Sequence, residues 1–333
     1  MSTPFFSVLM PVYNARRHVG RALWDLQRQS FRDFEIIAVD DGPTDGSSEL
    51  LKACDDKRLR VISLPENRGL VAALNAGLAE ARGAWIARQD ADDRCRIDRL
   101  QRQRALILGN THAVLVYSRA RLINEAGWWS GAMRPPLDEA GLRWDLCFRN
   151  AVPHTSAAFP ARLVRDELNG YAGDNVTADF DLWSRLLRRG GAIGDGRCLV
   201  SYRNHAGSIM GRENATSKKP SAEGLREILL KNLIEWGGAI ADEASVIAGA
   251  WLDPAGACWS DYFEIRERLI SVRAAYVPYT LIAEEDYALM YRAAAVSRRC
   301  VSKLMETMRS RFPQRYACLP QPQTLLGKIL KRF

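Results

Sequence analysis

The chain has 333 residues, of which 47% are hydrophobic and 26% charged. Its length exceeds a typical single core and predicts one large domain with an appendage, while its composition excludes a disordered or fibrous protein. No apolar run approaches the roughly 18 residues that a membrane-spanning helix needs. The seven cysteines are scattered, odd in number and without a CxxC pair, which argues against a disulfide framework or a zinc cluster and predicts a cytoplasmic protein.

The net charge of +8 resides in the last segment of the chain. From Arg298 to Phe333 there are nine lysines and arginines against one acid, so residues 1–297 are neutral overall. Few aromatics separate these charges, which disfavours nucleic-acid binding. The final TLLGKILKRF (324–333) is predicted to be a basic amphipathic helix. It either makes peripheral contact with the inner face of the membrane or packs its apolar side on the body, and the sequence leaves both open.

The first 110 residues alternate between strand and helix patterns. Predicted strands are FSVLM (6–10, ending at Pro11), FEIIAVDDG (34–42), LRVISL (59–64) and WIARQD (85–90). Predicted helices begin near Val19 and cover 48–54, 69–81 and 97–108. This alternation is typical of a doubly wound, mostly parallel α/β sheet.

After residue 110 the alternation loosens. Further strands are predicted at 113–118, 156–160 and 198–203, and a helix at 179–190 with Gly190 as its stop. Beyond about residue 215 the pattern becomes helical. The sequence therefore predicts an α/β domain over 1–215 and a helical C-terminal region over 216–333.

Polar residues follow three of the predicted strands, as PVYN (11–14), DDG (40–42) and DADD (90–93). In open α/β sheets, ligands bind outside the carboxyl ends of the strands. Taken singly, DDG equally indicates a turn and DADD a helix start. Five carboxylates at one edge would repel one another unless a cation lies among them. A Mg²⁺ or Mn²⁺ ion carrying a diphosphate would supply that cation.

The ordered motifs PVYN, EIIAVDDGPTDGS, ENRGLVAALNAGLAEARG, IARQDADD, NAVPH, ADFDLWSRLLRRG and YRNH resemble the family 2 glycosyltransferases, inverting enzymes of the Rossmann-like GT-A fold. The resemblance runs from about residue 5 to 210 and leaves out the last 120 residues. It implies metal-dependent transfer of a sugar from a nucleotide-diphosphate donor, with UDP favoured, to a hydroxyl of a glycan or lipid-linked acceptor. Bacterial surface polysaccharide or glycolipid synthesis is the implied setting.

The same resemblance assigns nucleotide-binding roles to Pro11, Tyr13, Asp40, Asp41, Asn67 and Asp90. Tyr13 would lie against the base, and Asp40 or Asp41 would hydrogen-bond the uracil or its counterpart. Asn67 would sit near the nucleotide, and Asp90 would approach the ribose.

The divalent metal, Mn²⁺ or Mg²⁺, would be bound by Asp92 and, in some members of the family, by a histidine matching His205. A histidine capping a strand end is the other interpretation of His205. Asp179 would be the catalytic base, whereas Asp181 would anchor the helix. The family usually has a glutamate before this base, and here that position is Ala178.

Other classes of protein fit less well. A dinucleotide dehydrogenase would have GxGxxG after the first strand, and a P-loop NTPase would have GxxxxGK[ST]; the sequence has neither. A sugar nucleotidyltransferase would need a glycine-rich loop where PVYNARRH stands. A binding protein that kept the fold but lost turnover stays open, because Ala178 replaces the usual glutamate.

Overall fold

The structure is a computed structural model that describes residues 3–205, 222–253, 257–272 and 298–311. These residues form two compact units. The first unit contains the chain up to Leu142 and the segment Ala151–Gly224. The second unit contains Arg143–Asn150 and the chain from Leu225 onward. The predicted domain boundary after residue 215 and the predicted tail helix over 324–333 lie outside the described residues, and both stay predictions.

The first unit contains the α/β elements. Its strands are β1 Phe6–Val12, β2 Phe34–Asp40, β3 Leu59–Ser63, β4 Trp85–Arg88, β5 Arg94–Cys95, β6 Ala113–Ile123, β7 Trp129–Met133, β8 Ala158–Pro160 and β9 Gly191–Arg203. Its helices are α1 Val19–Gln27, α2 Ser47–Lys52, α3 Leu70–Glu80, α4 Arg99–Gly109, α5 Glu139–Asp145 (which crosses into the second unit) and α6 Ala178–Leu187.

Within the described residues the nine strands form one sheet in the order β3-β2-β1-β4-β8-β6-β9-β5, with β7 paired to β6. β3, β2, β1 and β4 run parallel, so their carboxyl ends share one edge. β8 runs antiparallel to β4 and β6, and β9 runs parallel to β6. The predicted GT-A type, mostly parallel α/β sheet is confirmed.

The first strand is longer than predicted. The sequence pattern ended it at Pro11, but β1 continues to Val12 and pairs with β2 throughout, Pro11 opposite Val39. Because β4 pairs with β1 only as far as Leu9, Pro11 has a neighbouring strand on one side alone. A residue without an amide hydrogen is tolerated there.

Strand β9 also exceeds its prediction, since it begins at Gly191 and follows β6 as far as Arg203. Near its end it pairs antiparallel with β5, Arg94 opposite Ser201. Because β5 directly follows the DADD segment, this pairing brings residues 203–205 against the acidic loop.

The described residues of the second unit are mostly helical, with α7 Ala222–Asn232 (which begins in the first unit), α8 Ala241–Leu252, α9 Trp259–Val272 and α10 Arg298–Arg311. The segment 143–150 packs inside it: Asn232 donates to the carbonyl of Leu146 at 2.8 Å, and the Phe148 ring lies 6.0 Å from that of Trp251. Among the described residues of the chain, every helix is too short or too polar to cross a bilayer.

Candidate active site

The loops after β1 and β2 are tied to each other and to the start of α3. Asn14 accepts a hydrogen bond from the Thr44 amide at 2.8 Å. Asp41 is 3% exposed, and its two carboxylate oxygens accept from the amides of Arg68 (2.8 Å) and Gly69 (3.0 Å). Asn67 is exposed and donates to the Asp41 carbonyl at 3.3 Å. Asp41 therefore holds the 67–69 loop in place.

Asp40, the neighbouring acid, differs from Asp41 in its bonding. It is buried, and its Oδ2 accepts from the Ser48 hydroxyl at 2.7 Å. Its Oδ1 is buried without a hydrogen-bond partner among the described residues. Such an oxygen favours a ligand that brings an N–H or O–H donor. Gly42, with φ +63°, brings the chain so close to the 67–69 loop that a Cβ there would lie 2.8 Å from the Asn67 nitrogen.

The first acid of the DADD loop is neutralised by a buried arginine. The Arg88 side chain is fully buried, and its guanidinium pairs with Asp90 and donates to His154 Nε2 at 2.9 Å. Burial is the largest single effect and favours protonation of Asp90, but the charge of and hydrogen bond from Arg88, together with the charges of His154 and Arg99, outweigh it and lower the pKa of Asp90. Asp90 is thus an ionised carboxylate in a fixed position.

The last acid of the loop, Asp93, is buried and has a raised pKa. Burial first, then the charges of Asp92 and Asp90, raise the pKa of Asp93 well above its ordinary value. Asp93 Oδ1 accepts from the Arg203 amide at 2.6 Å, which fixes the loop to the end of β9. The pairing of Asp90 with Arg88 partly relieves the repulsion that the sequence predicts among these acids.

Asp92 and His205, the two predicted metal ligands, are brought together from positions 113 residues apart. His205 Nε2 lies 2.9 Å from Asp92 Oδ2, and the side chains are 15% and 28% exposed. Two ligands on adjacent corners of an octahedral Mg²⁺ site stand about 2.9 Å apart, so the pair fits such an ion. Among the described residues, no group of three or more His, Cys, Asp or Glu side chains is arranged to hold a metal. Two protein ligands suffice when substrate phosphates and water complete the sphere.

Arg203 joins the acidic loop to the tip of the β6–β7 hairpin. Its Nε donates to the Asp92 carbonyl at 2.9 Å. Its Nη1 donates to the carbonyls of Asn124 (3.0 Å) and Glu125 (2.8 Å). One guanidinium thus fixes two segments that lie far apart in the sequence.

The first turn of α6 carries Asp179 and Asp181, which have different surroundings. Asp181 pairs with Arg185 at 2.7 Å, and Arg185 also donates to the carbonyls of Leu168 and Gly170. Asp181 therefore anchors the helix. Asp179 is half-buried and accepts from the Phe180 amide at 2.8 Å. Ala178 is 2% exposed, so the position where the family has glutamate is filled by a buried methyl group.

Charges of both α6 and the acidic loop act on two tyrosine hydroxyls. Tyr171 lies with its hydroxyl 3.1 Å from His154 Nε2. Burial raises the pKa of Tyr171, and the charge of Asp179 raises it further. Burial also raises the pKa of Tyr202, followed by the charges of Asp93, Asp90, Asp92 and Asp179. The charge of Asp179 therefore raises the pKa of the same two hydroxyl groups as the charges of the acidic loop do.

Sequence comparisons agree with this arrangement. The family model described as glycosyl transferase family 2 matches residues 7–165. The putative glycosyltransferase EpsE of Bacillus subtilis (strain 168) is 31% identical over 195 residues, which cover 57% of this chain and 69% of that protein. The chain belongs to the family 2 glycosyltransferases. A second relative of this glycosyltransferase is the putative teichuronic acid biosynthesis glycosyltransferase TuaG of the same organism, 29% identical over 226 residues, 65% of this chain and 85% of that protein.

Solved structures share its fold. S. aureus TarS in complex with UDP-GlcNAc superposes with a TM-score of 0.57 at 20% identity, covering 91% of this chain and 85% of that chain. The mannosyltransferase PcManGT from Pyrobaculum calidifontis, in complex with GDP-Man and Mn²⁺, gives 0.55 at 16% identity, covering 94% and 89%. At these identities the likeness shows the fold.

The sequence assigned no role to four residues of this candidate site: Arg88, His154, Tyr171 and Arg203. Three of them had a signal, since Arg88 is a charge inside the buried strand WIAR, His154 lies in the NAVPH motif and Arg203 lies in the YRNH motif. A charge in such a strand requires a buried partner, which for Arg88 is Asp90. Tyr171 lacked any such signal.

His154 predicts a loss of stability on the acid side. Burial first, and the charge of Arg88 second, lower the pKa of His154 to about 3. The unfolded chain has a histidine pKa of about 6.5, so between these values only the unfolded state binds the proton. Stability therefore falls as the pH drops through this window, by up to about 1.4 kcal/mol per pH unit. Urea unfolding should show a shallower pH dependence for His154→Gln than for the wild type.

Two comparisons make this measurement specific. Asp93 has a raised pKa, so its contribution to the pH dependence of stability has the opposite sign, because the folded state keeps the proton. This contribution is present in both proteins and cancels in the difference between them. His112→Gln, at an exposed histidine, should keep the wild-type slope. Parallel slopes for the wild type and His154→Gln would contradict the prediction.

Proposed function

We propose that this glycosyltransferase moves a sugar, with inversion, from a UDP-linked donor to an acceptor hydroxyl, using a divalent cation, in the synthesis of a bacterial surface polysaccharide or glycolipid. The observation that carries the proposal is the Asp92–His205 pair at 2.9 Å, at the edge of the sheet where the strand ends meet. The teichuronic acid relative supports the polysaccharide setting, and the sugar-nucleotide complexes of TarS and PcManGT support the donor class.

The surroundings of Asp40 support a pyrimidine or purine base with an N–H at its pairing edge. Its unpartnered Oδ1 would accept from the N3–H of uracil, and this bond would relieve the cost of a buried, unsatisfied carboxylate oxygen. Tyr13 is 39% exposed and would supply a ring to the face of the base. Asn67 would stand beside the nucleotide, in the loop that Asp41 fixes, whereas Asp41 itself has both oxygens occupied.

The metal would be held by Asp92 and His205, where it would stabilise the negative charge of the departing diphosphate. Asp90, fixed by Arg88, would accept hydrogen bonds from the ribose. The rigid pairing of Arg88 keeps this carboxylate in place before the donor binds, so the binding free energy is not spent on ordering it.

Asp179 would take the proton from the acceptor hydroxyl. The alternative base, Asp181, is paired with Arg185 and serves the helix. A base on the side of the sugar opposite the diphosphate directs the acceptor to that face, which inverts the anomeric carbon. General-base assistance of this kind contributes about 10²–10⁴-fold to the rate.

Chelation of the metal tests the proposal. In excess EDTA, release of nucleotide diphosphate from UDP-sugars should fall at least about 100-fold, and added Mn²⁺ or Mg²⁺ should restore it. EDTA presaturated with Mn²⁺ is the control, and the unfolding temperature should be the same in both solutions. Full activity in excess EDTA would show that the cation has no role.

Ala178 supports one alternative, a protein that binds the nucleotide without turnover, because the usual acidic pair has lost one member. Calorimetric binding of UDP with no hydrolysis or transfer, across a panel of UDP- and GDP-sugars with Mn²⁺, would favour that alternative.

A further inference from the structure

The tip of the β6–β7 hairpin, residues 124–129, exposes two adjacent tryptophans. Trp128 is 74% exposed and Trp129 is 72% exposed. Within the part of the chain that the structure describes, neither indole ring stacks on an aromatic ring or a guanidinium group. Trp24, another exposed tryptophan, is covered by Arg21 and Arg28, whose guanidinium carbons lie 4.0 and 4.2 Å from its ring centre. The hairpin tip therefore has two large apolar rings that are open to a ligand.

The backbone of the tip is held rigidly. Asn124 Oδ1 accepts from the Trp128 amide at 2.9 Å, and the Asn124 amide donates to the Trp128 carbonyl at 2.9 Å. Gly127 has φ +86°, in the left-handed region that favours glycine. Because the turn is already ordered, a ligand that stacks on the rings does not have to immobilise the loop.

The tip is tied to two loops of the candidate active site. Arg203 donates to the carbonyls of Asn124 and Glu125 and also to that of Asp92. Glu125 pairs with Arg17, in the segment after β1, at 3.2 Å. The tryptophans therefore lie at the rim of the site that Asp92 and His205 define.

We propose that Trp128 and Trp129 form a stacking platform for a pyranose ring of the acceptor glycan. The axial C–H groups of such a ring are apolar and complement the electron-rich face of an indole. Glu125, in the same turn, and Arg17, which pairs with it, have side chains 54% and 83% exposed and would supply hydrogen-bonding partners for sugar hydroxyls. As an acceptor site the platform rests on the proposed glycosyl transfer.

A lipid surface is the other kind of ligand that exposed tryptophans bind. An interfacial anchor of this kind usually combines aromatic residues with unpaired cations. At this tip the one charged side chain is acidic, Glu125, and the cation next to it is neutralised by the ion pair. The charge pattern favours a neutral, hydroxyl-rich ligand.

The experiment compares full-length wild type, the double variant Trp128→Ala/Trp129→Ala, and Trp24→Ala as the matched control. The probes are p-nitrophenyl glycosides of glucose, galactose, mannose and N-acetylglucosamine, followed by saturation-transfer NMR on the pyranose protons. For at least one glycoside, the dissociation constant should rise at least about tenfold in the double variant and stay at the wild-type value in Trp24→Ala. Calorimetric UDP affinity should be equal in all three proteins.

Three results would overturn the platform. The first is the absence of saturation transfer from the wild type to every glycoside, and the second is an equal loss of glycoside affinity in Trp24→Ala. The third comes from flotation with vesicles of equal parts phosphatidylglycerol and phosphatidylethanolamine: a double variant that no longer floats with the vesicles but still binds the glycosides. Failure of UDP to bind the wild type, with glycoside binding intact and dependent on the tryptophans, would count against the proposed function and leave a sugar platform.

Discussion

Asp92→Asn is expected to lower the rate of sugar transfer at least about 100-fold, because a neutral amide is a poor ligand for Mn²⁺ or Mg²⁺. Asp90 cannot take over, since it is paired with Arg88, and Asp93 is buried and bonded to the Arg203 amide. Metal and donor affinity should fall together, since in the proposed mechanism the diphosphate would bind through the metal. Initial rates of nucleotide diphosphate release across a Mn²⁺ titration, with calorimetry of the donor, measure both.

Asp98→Asn is the matched control for this variant. Asp98 lies six residues further along, in an exposed pair with Arg96 at 2.9 Å, so its loss should cost at most about 1 kcal/mol of stability and leave transfer unchanged. An Asp92→Asn protein that kept the wild-type Mn²⁺ dependence and donor affinity would remove Asp92 from the metal site.

Asp179→Asn is expected to lower turnover about 10²–10⁴-fold, or roughly 3–5 kcal/mol of barrier, because an amide cannot accept the acceptor's proton. Donor affinity should stay close to the wild-type value, since the proposed base would contact the acceptor and not the nucleotide. Single-turnover rates under saturating donor separate the chemical step from binding.

The neighbouring acid provides the control. Asp181→Asn removes the partner of Arg185, which keeps its bonds to the Leu168 and Gly170 carbonyls, so we expect a stability loss of no more than about 1 kcal/mol with near-normal turnover. The reverse outcome, with Asp181→Asn inactive and Asp179→Asn active, would move the base to Asp181.

The sequence predicted the strands that have an apolar pattern of their own and overlooked two that have none. β1 to β4 are apolar runs between turn signals, and the three-residue β8 lies within the predicted 156–160. β5 has only the two residues Arg94–Cys95, and β7 (WSGAM) is exposed at Trp129 and Ser130 and half-buried in its other residues, so neither carries a pattern. Each exists because a longer strand pairs with it, and such tertiary pairing is absent from local sequence.

The site was predicted in part, for a similar reason. Residue types and order were enough to nominate Asp92 and His205, whose contact the structure then supplies. They could not separate Asp40 from Asp41, because that difference depends on which backbone amides turn toward which oxygen. The pKa of Asp93 likewise depends on burial, which a run of three acids in DADD does not reveal.

The Arg203 side chain hydrogen-bonds the hairpin through the main-chain carbonyls of Asn124 and Glu125. It hydrogen-bonds the acidic loop through the main-chain carbonyl of Asp92. Contacts of this kind remain when the side chains of the same residues are exchanged, because every residue has a main-chain carbonyl. If the tip binds the acceptor as proposed, substitutions at its exposed positions would change which acceptor binds while the backbone of the tip stays fixed to the acidic loop.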